Sequence, residues 1–132
     1  MIEVRRAVAS DAEALESLAA EAESESHRYR GHIDTDRIPT DSMVAIIGGS
    51  VVGMVSYVDE GPVRHLTLVH VHKDARGVGV GDALMEFVLR DAAAGGCTHV
   101  RSAAQPGDRA TKNLFERNGL VARAIQVEKK LG

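Results

Sequence analysis

Three observations predict an α/β domain. Apolar runs with strand character alternate with amphipathic helical stretches along the whole chain. The run over residues 63–72 passes through a glycine-spaced basic turn directly into a helix. The chain has 132 residues, enough for one core and too few for two comfortable domains, so residues 1–132 read as a single domain.

The elements follow in order. Residues 2–7 read as a first strand. Ser10-Asp11-Ala12-Glu13 has the form of a capping box, with Ser10 as N-cap and Glu13 three residues on. The helix that follows carries Leu15, Leu18, Ala19 and Ala22 on one face. Residues 23–41 are polar and irregular, with room for a short second helix around residues 26–30. Residues 43–47 and 51–58 are two strands about the Gly48-Gly49-Ser50 turn. After the strand at 63–72, apolar residues at Val80, Ala83, Leu84, Phe87 and Val88 mark the next helix. Residues 98–104 form another strand. Asp108 caps a helix that bears Leu114 and Phe115 and ends at Asn118-Gly119, where glycine suits the left-handed position. Residues 120–130 close the chain with one or two strands.

Composition narrows the function classes. A formal net charge of -3 argues against a nucleic-acid partner. Tyr29, Tyr57, Phe87 and Phe115 are the only aromatic residues, which leaves no stacking platform for bases. No apolar run spans a bilayer and no signal-peptide pattern opens the chain, so no membrane association is expected. Cys97 is the only cysteine; no intrachain disulfide can form, and a reducing cytoplasm is the expected location. His70 and His72 share one strand face and offer two metal ligands, but no third is spaced to join them, so no metal site is expected.

The turn at residues 76–82 carries the chemistry. Gly77, Gly79 and Gly81 enter the first turn of a helix, where backbone N–H groups have no intrahelical partner. Glycine lets an anion approach those donors, and the helix dipole adds about 0.3–1 kcal/mol per charge. Arg76 adds a full positive charge beside them. The segment is a cradle for phosphate or pyrophosphate. It is not a Walker loop, because no Gly-x-x-x-x-Gly-Lys-Ser/Thr run exists. Nor is it the dinucleotide fingerprint: counted from Gly77 the third glycine falls on Asp82, and counted from Gly79 it falls on Leu84. What remains is Arg-x-x-Gly-x-Gly, from Arg76 through Gly79 to Gly81.

That spacing resembles motif A of the GNAT (general N-acetyltransferase) superfamily, which binds the pyrophosphate of acetyl-CoA. Asn113-Leu114-Phe115-Glu116-Arg117-Asn118-Gly119-Leu120 resembles motif B of the same superfamily. The order of elements resembles a GNAT domain from end to end. The resemblance implies a mixed central sheet of six or seven strands flanked by about four helices. It also implies a splay between the strand before motif A and the strand after its helix. The implied activity is transfer of the acetyl group of acetyl-CoA to a primary amine of a small molecule, a peptide N-terminus or a protein lysine. Homodimerisation is left open.

Carried over residue by residue, Val69, His70 and Val71 lie along the pantetheine arm, and the main-chain N–H of Val69 or Val71 polarises the thioester carbonyl. Arg76, Gly77, Val78, Gly79, Val80, Gly81 and Asp82 hold the pyrophosphate, Asp82 through its N–H. Asp108 and Asn113 approach the cofactor from the motif B helix, with N-capping and plain solvation as their alternatives. Phe115 stands where the family carries a tyrosine. It packs against pantetheine but cannot protonate a thiolate, a task left to water, to Tyr57 or to unassisted departure.

The amine must lose a proton before it attacks. No glutamate lies within residues 63–72, and Ala103 stands where another family glutamate would. His65-Leu66-Thr67 resembles the His-x-His stretch of the serotonin-acetylating branch, with Thr67 in place of the second histidine. The resemblance makes His65 and Thr67 the expected catalytic pair, since histidine ordinarily titrates at pH ~6.5, with a surface or packing histidine as the alternative. The acidic run Glu21, Glu23, Glu25, Asp34 and Asp36 lies where the family shapes its acceptor site; it reads either as a solvated helix face or as a negative rim that would steer a cationic amine. The absence of the usual acid and base keeps a second reading open, a weak or inactive acetyl-CoA-binding module serving as sensor or subunit. A third, a plain interaction protein, is opposed by Arg76 and its glycines.

Overall fold

The computed structural model describes residues 1–33 and 40–132. Its elements run β1 (Glu3–Arg6), α1 (Ala12–Ser26), β2 (Asp41–Ile47), β3 (Ser50–Glu60), β4 (Val63–Val71), α2 (Val80–Ala94), β5 (His99–Arg101) and α3 (Arg109–Arg117), with 3-10 turns at Ala9–Asp11 and Lys73–Ala75. The strands form one sheet in the order β1-β2-β3-β4-β5. The first three pairings are antiparallel, and β4–β5 is parallel with α2 as its crossover. This is the mixed α/β architecture expected, built from five strands rather than six or seven, and from three α-helices rather than about four, among the described residues.

Three local expectations are corrected. The Ser10 capping box does not form. Asp11 takes the role instead, accepting the Val8 N–H at 2.8 Å while binding Arg5 Nη1 at 2.7 Å. An ionised carboxylate accepts both bonds and pairs its charge with the guanidinium, which a neutral hydroxyl does not. No short helix forms around residues 26–30: α1, rich in Ala and Glu, continues to Ser26, and single-turn bonds from Arg28 to Glu25 and from Tyr29 to Ser26 end it. Residues 121–132 form no strand. Leu120 still bonds back to Phe115 O at 3.0 Å, but Val121, Ile125, Val127 and Leu131 are exposed. Alternation alone does not make a strand, and the adjacent edge, β5, offers only three residues to pair with.

Strand alternation builds two faces. Met43, Ala45, Val55 and Tyr57 meet Val80, Leu84, Met85 and Val88 of α2 in the main core. Val44, Met54 and Ser56, buried on the other face, lie on the side that α1 covers with Leu18. A β-bulge shifts this alternation in β4. Ser56 faces Leu68 while Tyr57 faces Leu66, which leaves Thr67 as the extra residue.

The closed end of the sheet is fastened by Arg64. Its buried guanidinium bonds Asp59 Oδ1 at 2.8 Å, Asp91 Oδ2 at 2.9 Å and Val88 O at 3.0 Å, and lies 3.9 Å over the Tyr57 ring. Burial works to lower its pKa, but Asp59 and Asp91 outweigh burial and hold it above the usual arginine value. Tyr57, a sequence candidate for proton donor, is committed to this network, and burial pushes its hydroxyl pKa up.

Gly53 sets how closely α2 approaches the sheet. A Cβ there would stand 2.9 Å from Val80 Cγ1, 3.1 Å from Leu84 Cδ1 and 3.3 Å from His70 O. The backbone carbonyl cannot yield, so Gly53→Ala must push the first turn of α2 outward. We expect a loss of about 1–3 kcal/mol in urea unfolding, the usual cost of overpacking. An unchanged midpoint would show that this contact does not fix the helix.

Candidate active site

The site begins where β4 loses a neighbour. β4 and β5 pair only at Val63↔His99, Arg64↔Val100 and His65↔Arg101. Ser102 Oγ then donates to Leu66 O at 3.0 Å, and the strands part. Beyond this point β4 keeps β3 on one side only. His72 N–H donates to Val52 O of β3 at 2.8 Å, so by alternation Val69 and Val71 turn their N–H and C=O groups away from β3, into the opening. Val71 O receives Arg76 Nε there at 3.1 Å.

The opening is a cleft of ≈ 530 Å³ between β4, the turn after it, the N-terminus of α2, the end of α1 and the start of α3. Gly77 and Gly79 have φ of +82° and +91°, a left-handed conformation that L side chains rarely adopt. A Cβ on either would meet nothing within 4 Å, so both border open space. Gly79 is the N-cap of α2 and provides no capping side chain. The first helical bond at this end runs from Ala83 N–H to Gly79 O at 3.0 Å, so the N–H groups of Val80, Gly81 and Asp82 have no partner within the helix. Gly81 serves differently: a Cβ there would stand 3.2 Å from Leu114 Cδ1, so it sets the approach of α3 to α2.

Charges around the cleft are paired. Asp82 accepts from Asn118 Nδ2 at 3.0 Å and pairs with Arg117 Nη2 at 3.2 Å, and these two contacts hold its carboxyl below the usual range. Its negative charge is thereby offset beside the cradle. Arg76 Nη2 lies 2.7 and 2.8 Å from the two Glu25 carboxylate oxygens. Glu21 Oε1 is 2.8 Å from His70 Nε2 and accepts Lys73 N–H at 3.0 Å. Burial raises the Glu21 pKa, but the His70 and Lys73 bonds outweigh it and keep the net shift downward. The donor atoms of Glu21, Glu25 and His70 lie within 4.8 Å of one another, a grouping hidden in the sequence because two come from α1. Arg76 already supplies the cation for that grouping.

Most expected site residues line this cleft: Thr67, Val69, His70, Val71, Arg76, Gly77, Gly79, Val80, Gly81, Asp82, Asp108 and Phe115. Asp108 also caps α3, accepting Thr111 N–H at 3.1 Å. Three expected residues stand apart from the wall. His65 sits where β4 and β5 are still paired, its Nε2 3.8 Å from Glu60 Oε2. Val78 and Asn113 are exposed. Sequence reasoning missed the pairing of Glu21 with His70 and of Glu25 with Arg76, whose only signal was the four-residue spacing of two acids on one helix. It also missed Tyr29 and Gln105. Tyr29 lines the cleft, and Gln105 Nε2 ties the approach to α3 onto Ser26 O at 3.2 Å and Gly31 O at 3.0 Å. Asp34 and Asp36 of the acidic run lie outside the described residues.

The family model described as Acetyltransferase (GNAT) family matches residues 9–120, and the chain belongs to that family. No curated protein matches the chain. Among solved structures it is similar to a transcriptional regulator from Bacillus halodurans C-125, at TM-score 0.77 and 18% identity over 99% of this chain and 100% of that one. It is similar to a ribosomal-protein-alanine N-acetyltransferase from Brucella melitensis biovar Abortus 2308, at TM-score 0.77 and 17% identity over 98% and 99%. It also resembles AAC(6')-Iy in complex with the bisubstrate analogue CoA-S-monomethyl-acetylneamine, at TM-score 0.71 and 19% identity over 99% and 100%. At these identities the likeness establishes the fold.

Acid sensitivity follows from the paired carboxylates. Hydrogen bonds from Arg5, Arg64 and Asn118, respectively, are the leading causes that lower the pKa of Asp11, Asp59 and Asp82, and Glu21 is lowered as well. A depressed folded-state pKa gives stability above the unfolded value, near pH ~4, that is lost as pH falls through the folded value. The urea midpoint should therefore hold from pH 7 to about 5 and fall steadily below about 4. A midpoint that stays level to pH 3 would contradict these pairings.

Proposed function

We propose that this chain is an N-acetyltransferase that moves the acetyl group of acetyl-CoA to a primary amine by direct attack in a ternary complex. One observation carries the reading. Beyond the last β4–β5 pair the main chain of Val69 and the N–H of Val71 face no neighbouring strand, and they lead directly into an uncapped, glycine-opened helix N-terminus whose Arg76 reaches back to Val71 O. A pantetheine arm is a chain of amides that needs a strand-like edge to pair with, and a pyrophosphate needs N–H donors and positive charge. Family membership supports the reading, as do the complexes of AAC(6')-Iy with CoA and with a CoA bisubstrate analogue.

Bound acetyl-CoA supplies the thioester carbon that the amine attacks. The Val69 or Val71 N–H, rigid in β4, is placed to stabilise negative charge on the carbonyl oxygen as it develops. Arg76 and the first N–H groups of α2 would hold the pyrophosphate, and Phe115, which lines the cleft, would pack against the arm. The Thr67 hydroxyl, displaced by the bulge, lines the cleft at the point where β4 and β5 part. Glu25 stands ready to meet a cationic acceptor once pyrophosphate takes over Arg76. His65 is too far along the paired stretch to serve the cleft directly. The acceptor classes are a small amine, a peptide N-terminus and a protein lysine, and the single cysteine supports a cytoplasmic location.

Calorimetric titration with acetyl-CoA tests the reading, with Gly79→Glu as control. The substitution puts a carboxylate in the cradle at a left-handed position that costs about 1–2 kcal/mol for an L residue. We expect a folded protein with acetyl-CoA affinity lowered at least ~100-fold, about 2.7 kcal/mol. Equal affinity in folded wild type and variant would reject the cradle. Binding without turnover on an amine panel would instead assign a non-catalytic acetyl-CoA-binding module.

We also propose a homodimer. Its support is the unpacked segment at residues 121–132, which exposes Val121, Ile125, Val127 and Leu131, together with the outer edge of β5, which pairs with no strand among the described residues. Light scattering should give twice the chain mass for the full chain and the single mass for a chain ending at Leu120. A monomeric full chain would reject the dimer.

A further inference from the structure

We propose that His70 takes the proton from the acceptor amine and that Glu21 holds its imidazole for that task. The proposal rests on the acetyl-transfer reading above. His70 is 7% exposed, on the face of β4 opposite α2, and borders the cleft beside the main chain of Val69 and Val71. Its Nε2 lies 2.8 Å from Glu21 Oε1. A carboxylate only accepts, so in the neutral ring Nε2 carries the hydrogen and Nδ1 keeps its lone pair. Among the described residues no fully buried side-chain nitrogen or oxygen lacks a partner, and Nδ1 has no hydrogen-bond partner there, so Nδ1 is not fully enclosed. This is the tautomer that a base in the cleft requires.

Glu21 is itself held in place. Its Oε1 accepts Lys73 N–H at 3.0 Å, and its Oε2 lies 3.6 Å from His72 Nε2. His72 is fixed in turn, because its Nδ1 accepts Asp74 N–H at 3.0 Å. Among the described residues the charged and titratable groups around His70 are Glu21 and Glu25 from α1, with His72 and Arg76 from the turn after β4. Arg76 binds Glu25 and approaches Glu21 only to 3.8 Å, which leaves the Glu21 charge available to an imidazolium.

The proton balance closes without a further reactant. A protonated primary amine gives one proton to Nδ1 of His70, which passes it to solvent. The amine lone pair forms the C–N bond as the C–S bond breaks, and the second proton lost from nitrogen ends on the coenzyme A thiolate. Glu21 touches neither substrate and acts as a positioning residue; His70 is the catalytic residue.

The test is steady-state turnover of acetyl-CoA with spermidine, or with a lysine-containing peptide, against pH, for wild type, His70→Gln and Glu21→Gln. In wild type kcat/KM should rise through an ionisation in the neutral range. His70→Gln should lower kcat ~100-fold or more, remove that ionisation, and leave acetyl-CoA affinity within about threefold. Glu21→Gln should lower kcat less and move the ionisation to lower pH, a shift that a purely structural role would not produce. If His70→Gln does not fold, the half-buried Glu21 variant decides alone. A neutral-range ionisation at wild-type position in either folded variant would overturn the proposal. Wild type that binds no acetyl-CoA, or turns over neither amine, would instead overturn the acetyl-transfer reading and this inference with it.

Discussion

A strand with a neighbour on one side only is the constraint on which the site depends. Backbone N–H and C=O groups need partners, and a buried one left without costs about 1–3 kcal/mol. β4 satisfies one side through β3 along its full length and the other only over three pairs with β5. Past those pairs the Ser102 and Arg76 side chains serve Leu66 O and Val71 O, and the groups left over must find water or a ligand. Two devices fix where this happens. Arg64 fastens the closed end to Asp59 and Asp91, and α2, drawn against Gly53, holds the open end at the cradle. The cleft lies between those fastenings.

Much of this was legible in the sequence, because each feature had a local cause. The periodicity at Val80, Ala83, Leu84, Phe87 and Val88 placed α2, which runs Val80–Ala94. Gly48 and Gly49, with φ of +58° and +82°, made the hairpin readable, as Asp108 did the start of α3. The three glycines of the turn stood out as a group, although they serve two ends. Gly77 and Gly79 allow a left-handed path, whereas Gly81 makes room for Leu114.

What was not legible depends on long-range placement. The bulge at Thr67 turns on the register between β3 and β4, which no local pattern encodes. The same is true of His65 and His70. Both are histidines on one strand, and only the point at which β5 departs shows that the second borders the cleft and the first does not. The two acids of α1 were visible as a run but not as partners of His70 and Arg76, residues some fifty positions away. The apolar alternation at the end of the chain read as strand, yet strand formation needs an edge long enough to pair with.

In the acetyl-transfer reading, the edge of β4 that β5 leaves open and the N-terminus of α2 together receive one extended ligand. Backbone amide NMR during titration with acetyl-CoA tests it most directly, because it reports on the N–H groups themselves. Shifts that saturate together at Val69, Val71 and residues 77–82, with Arg6, Tyr57 and Arg64 unmoved, are the expected result. Shifts confined to the Arg64 end of the sheet, or none at saturating acetyl-CoA in a folded protein, would contradict it.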